Sequence, residues 1–138
     1  MDAWEYCRYR ADDSLDAAGL LHQRGHSCSA ASRAYYAAYQ AVTAVLLYAK
    51  QRPPAGRDAW SHEVTPELLR TTRMSFLDQN KRSNLSARLS VLYKLRITAD
   101  YEMRAVIGEA ASAIALKDAH FIVKSVGDIL PPTRSLEN

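Results

Sequence analysis

Sixteen residues, Ser32 to Leu47, restrict the fold more than any other part of the chain. They read Ser-Arg-Ala-Tyr-Tyr-Ala-Ala-Tyr-Gln-Ala-Val-Thr-Ala-Val-Leu-Leu, without a glycine or a proline, and alanine recurs throughout. Alanine is the strongest helix former, so the stretch predicts a helix. Tyr35, Tyr39, Val42 and Leu46 fall at i, i+4, i+7 and i+11, one continuous stripe on a helical surface. The alanines at 34, 37, 38, 41 and 44 allow close approach of other helices, which predicts a central position. Arg33 and Gln40 lie seven residues apart, on nearly the same face and ~10 Å along the axis. A helix this apolar carries Arg and Gln on one line only if something pairs with them.

The rest of the chain reads as helices too. Its 138 residues suit one domain with a core of its own, and five glycines and five prolines leave long uninterrupted runs. Helix one is predicted from about Ala3 to Arg24, with Trp4, Cys7, Ala11, Leu15, Ala18 and His22 on its inner stripe and Gly25 as the stop. Ser27 or Ser29 is expected to cap helix two, which ends near Gln51, before the Pro53-Pro54 loop. Thr65-Pro66 opens helix three, expected to run to about Gln79 with few apolar positions. A polar turn is expected over Asn80–Asn84, then helix four from Leu85 to Thr98. Its stripe is Leu85, Leu89, Leu92 and Arg96, and an arginine on a core face needs a partner; Asp100, four residues on, is the local one. Helix five is expected from Met103 to Leu130, stopped by Pro131-Pro132. The expected fold is all-α: an antiparallel bundle of four to five helices over residues 1–130, followed by a flexible tail at 131–138.

Composition narrows the function only a little. The net charge of +3 does not by itself imply nucleic acid, but seven of the basic side chains lie between Arg70 and Arg96, against the single acid Asp78. That segment either faces a polyanion or is a solvated face whose acids sit on neighbouring helices. Cys7 and Cys28 have no metal-type spacing, and about 26 Å of helix separates Cys7 from the turn before Cys28. Both are expected as reduced thiols, in keeping with the cytoplasm. No apolar run reaches the roughly 20 residues that span a bilayer, so no membrane association is expected. Neither a cofactor nor a metal is implied.

Three separated segments together resemble one family. They are Ser32-Arg33-Ala34-Tyr35-Tyr36-Ala37-Ala38-Tyr39, then Ser61-His62, then Leu92-Tyr93-Lys94-Leu95-Arg96 with Ala99-Asp100-Tyr101. In this order they are similar to the HEPN superfamily, in its branch of small stand-alone prokaryotic proteins, over roughly residues 3–127. The resemblance implies a helical bundle that forms a homodimer. It also implies a place in a toxin–antitoxin or defence system, with RNA as the target. Many such proteins are metal-independent endoribonucleases, and small ones are often encoded beside a minimal nucleotidyltransferase that acts as antitoxin; a larger defence protein is the other expected partner.

The chemistry that the resemblance implies needs an imidazole to take the ribose 2′-hydroxyl proton and a cation to stabilise the phosphorane. The family signature is an Arg followed four to six residues on by a His. This sequence departs from it twice: Gln40 stands seven residues after Arg33, where related sequences often carry His, and Asp100 or Tyr101 fills the position after Arg96. An Asp held by an Arg is a weak base. The candidate catalytic set is therefore Arg96, Asp100, Tyr101, Arg33 and His62, with Tyr36 and Gln40 in a supporting network. Two alternatives to catalysis stand beside it. One is a non-catalytic dimer that binds RNA, a nucleotide or a partner. The other is a buried polar network that only fixes helix register.

Overall fold

The computed structural model describes residues 1–102 and 107–132. Within them the chain forms five α-helices and no strand: α1 (Ala3–Gln23), α2 (Ser27–Tyr48), α3 (Val64–Thr71), α4 (Gln79–Tyr101) and α5 (Glu109–Ile129). The four long helices make the bundle, each roughly 32–35 Å in length. α1 and α2 form a tight hairpin. The α1 terminus closes with Gly25 at φ +80°, where His26 N–H bonds to Leu21 O at 2.9 Å and Gly25 N–H to His22 O at 3.1 Å. This is the crossed pair of bonds that ends a helix on a left-handed residue. α4 runs against α2, because Ser32 meets Asp100 and Tyr36 meets Arg96. α5 runs against α1: His22 Nδ1 and Ser112 Oγ are 2.6 Å apart at one end, and Arg8 donates to Gly127 O at 3.0 Å at the other.

α2 occupies the centre and packs against each of the other four helices. From Ala30 to Leu46 only Ser32, Arg33, Tyr36 and Gln40 escape full burial. Small side chains make this possible: Ala34, Ala37, Ala38 and Ala44 are 0% exposed and let the neighbouring backbones come close. Leu85, Leu89 and Leu92 of α4 and Ala115, Ala119, Ile122 and Val126 of α5 complete the core around it.

The second half departs from the sequence reading in its boundaries. Helix three is much shorter than expected, since Thr72 turns extended at ψ 123°. The residues expected as a turn, Asn80–Asn84, are the first turns of α4. Asp78 caps this helix, accepting the Lys81 N–H at 2.8 Å. Those residues are polar because most of them face solvent, not because the chain turns there. Arg82 is the buried exception, and its Nη1 donates to Leu77 O at 2.6 Å. α4 also continues beyond Thr98 to Tyr101. α5 begins at Glu109 after Gly108; the expected start at Met103 lies outside the described residues. Of the expected tail, residues 133–138 also lie outside them, and Pro131 is not loose, because Arg8 Nη1 donates to its carbonyl. Both cysteines are free thiols. Among the described residues no helix is long and apolar enough to cross a membrane.

Candidate functional site

Two polar side chains far apart in sequence meet at Tyr36. The first is Arg96, which sits on the buried stripe of α4 and is only 9% exposed. Its Nη2 donates to the Tyr36 hydroxyl at 2.9 Å and more weakly to that of Tyr101 at 3.4 Å. Asp100 Oδ2 lies 2.9 Å from Nε, but the Nε–H does not aim at it, so the pair is an ion contact rather than a hydrogen bond. The same carboxylate oxygen accepts from Ser32 Oγ at 3.2 Å, which ties the end of α4 back to α2. Burial works against the Arg96 charge, yet Tyr36, Tyr101 and Asp100 outweigh it and its pKa is raised. The guanidinium is a fixed, permanent cation.

The second is His62, on the loop before α3. Its ring is half-buried among four tyrosines of α2 and α4. It stacks on Tyr93 with an interplanar angle of 12°, meets Tyr36 edge-on at 5.9 Å between centroids, and tilts against Tyr39 at 4.5 Å. His62 Nδ1 and the Tyr35 hydroxyl are 2.6 Å apart. Tyr35 is completely buried, and burial pushes its pKa up, so it remains a phenol. Burial and then the Arg96 charge push the His62 pKa below 6.5, with Glu63 opposing in part. The imidazole is therefore neutral near pH 7. The segment that presents it is anchored by Tyr39, whose hydroxyl donates to Trp60 O, and by Thr65, whose hydroxyl donates to Ser61 O at 2.8 Å.

Two clefts open beside this ring. One, of about 460 Å³, runs past Trp60, Arg57 and Asp58; the other, of about 440 Å³, runs between α3 and α4 past Arg70 and Lys94. His62 and Tyr93 line both.

The remaining sequence-derived candidates are spread more widely. Arg33 is exposed; its guanidinium carbon lies 5.7 Å from the Tyr36 ring centroid, against 5.3 Å for Arg96, but it lines a different cleft between α1 and α2. Arg33 and Arg96 thus share a tyrosine rather than a pocket. Tyr101 is 65% exposed and flanks Arg96. Gln40 is half-buried and, among the described residues, its side chain has no hydrogen-bond partner. Tyr35, Tyr39 and Tyr93 belong to the segments that resemble the family but not to the sequence-derived candidate set. The signal for the first two was their i, i+4 spacing, which puts both on the face that carries His62; Tyr93 lies three residues before Arg96, one turn along the same helix.

A cluster of neutral imidazole, fixed guanidinium and phenols can exchange a proton and hold an anion. It offers little to a metal: among the described residues no group of three His, Cys, Asp or Glu could hold one. A search of curated proteins finds no match to the chain. The HEPN domain model does match, over residues 4–130. That span takes in α1 from its second residue, the other four helices and the whole polar cluster around Tyr36, and the chain belongs to the HEPN domain family.

Proposed function

We propose that this protein acts on RNA in a prokaryotic toxin–antitoxin or defence system, as a cytoplasmic homodimer that cleaves RNA without a metal. One observation carries the reading: a neutral imidazole, His62, rests against the tyrosine that holds the buried guanidinium of Arg96. The pair supplies the two elements that 2′-hydroxyl attack needs. In the tautomer whose Nδ1–H donates to the Tyr35 oxygen, His62 Nε2 keeps a lone pair and takes the 2′-hydroxyl proton. The alkoxide attacks phosphorus, giving a phosphorane whose added charge Arg96 stabilises. The 5′-oxygen then leaves with a proton from the imidazolium, which burial and Arg96 make ready to release it. Asp100 with Ser32, and Tyr36 with Tyr101, hold the guanidinium in position. A minimal nucleotidyltransferase or a larger defence protein is the partner this reading expects.

The contact between Asp100 and Arg96 favours a second reading, a HEPN dimer that binds RNA or a nucleotide without cutting it. The carboxylate neutralises part of the charge that a phosphorane would need. Gln40, seven residues after Arg33, adds no base. Incubating purified protein with mixed RNA in EDTA separates the two. Cleavage that persists in EDTA and is lost in both Arg96→Ala and His62→Ala is the result expected. Cleavage that survives both substitutions overturns the site, and tight RNA binding with no cleavage by the wild type establishes the second reading.

A further inference from the structure

The cleft that Arg33 lines is a separate feature of the molecule. It lies in the α1–α2 hairpin and has a volume of about 590 Å³. Ala17, Leu20 and Leu21 give it an apolar floor, and Leu20 is 58% exposed there. Arg24 and Arg33 stand at its edge, both exposed, and neither has an acidic partner among the described residues. Ser14 lines it too. That residue is 6% exposed, and its hydroxyl has no hydrogen-bond partner among the described residues. A nearly buried hydroxyl without a partner inside the protein, opening on a cleft, is a donor in want of an acceptor. Asp13 also lines the cleft, so two guanidiniums face one carboxylate.

That balance selects the ligand. The net charge of the lining is +1, which matches the single negative charge of a phosphodiester better than the double charge of a terminal phosphate. The apolar floor suits the face of a base or the edge of a ribose. Arg33 is also preorganised, since its guanidinium rests on Tyr36 and so needs little ordering when an anion arrives. Through Tyr36 the cleft adjoins Arg96.

We propose that the α1–α2 cleft is a second nucleotide subsite, in which Arg24, Arg33 and Ser14 hold a phosphodiester of single-stranded RNA while another nucleotide of the same strand occupies the Arg96 site. The proposal rests on the RNA-directed reading above and extends it to a strand path. The subsite binds the backbone and does no chemistry.

The test is fluorescence anisotropy with a labelled single-stranded RNA dodecamer and a labelled dinucleotide, across a salt series. Circular dichroism checks that each variant is folded. Arg24→Ala/Arg33→Ala weakens dodecamer binding about tenfold or more. It also flattens the plot of log K against log salt by roughly 0.7 for each phosphate that is no longer neutralised. Dinucleotide affinity stays unchanged. Arg24→Lys/Arg33→Lys restores most of the dodecamer affinity, and Lys124→Ala, an exposed cation on α5, changes nothing. Dodecamer affinity and salt slope equal to wild type in the double alanine variant overturn the subsite while leaving the RNA reading intact. A wild type that binds neither RNA overturns both.

Discussion

His62 sits in a loop, where histidines usually titrate freely, yet its surroundings favour the neutral ring. Tyrosines displace water from its faces, and the Arg96 charge lies close enough to oppose a second cation. Both effects destabilise imidazolium, and Glu63 offsets only part of them. The folded-state pKa therefore lies below the unfolded one near 6.5, so between these two values the unfolded chain binds more protons. His62 thus contributes stability that is fully present above pH 6.5 and is lost as pH falls through the folded-state value. An NMR titration of the His62 ring protons is expected to give a midpoint below 6.5, and Arg96→Gln is expected to move it upward. A midpoint above 6.5 in the wild type would mean that the burial and charge argument is wrong. This environment was only partly legible beforehand. Arg96 announced itself by standing on a leucine stripe. The contact between His62 and Tyr35 did not, because 27 residues separate the two and the Pro53-Pro54 loop between them carries no periodicity that predicts its path.

Among the elements, the helix ends show what a sequence discloses and what it hides. Gly25 marks the end of α1 openly. α2 ends in the same way, but on a lysine: Lys50 adopts φ +67°, with its N–H bonded to Leu47 O at 3.0 Å and the Gln51 N–H to Leu46 O at 3.1 Å. A side chain at positive φ crowds the following carbonyl, which glycine avoids. Lys50→Gly is expected to stabilise the protein by about 1 kcal/mol. The check is the urea midpoint, and no gain there would show that the Lys50 side chain makes compensating contacts. Between α3 and α4 the sequence misled for a different reason. Asn80, Lys81 and Asn84 look like a turn by composition, yet they are the exposed face of a helix that Asp78 has already capped. Composition reports solvent exposure there, and only the capping bond reports conformation.

For the molecule as a whole, the central place of α2 sets the limit on change. A helix at the edge of a bundle relieves an oversized side chain by moving into solvent. α2 has no such direction, because α1, α3, α4 and α5 all pack on it and its inner alanines are 0–1% exposed. Interior packing is dense and relaxes only in part. Enlarging one of these alanines must therefore push a whole helix outward. Ala38→Leu is expected to lower stability by about 1–3 kcal/mol, although leucine is an excellent helix former and adds apolar surface. Ala113→Leu, at an exposed position on α5, is expected to stay within about 0.5 kcal/mol of wild type. Urea unfolding of the two variants side by side separates packing from propensity, because the substitution is chemically the same. Equal midpoints would mean that α2 has room to move, and that the tyrosine, histidine and arginine groups it carries are not held at fixed distances by the bundle.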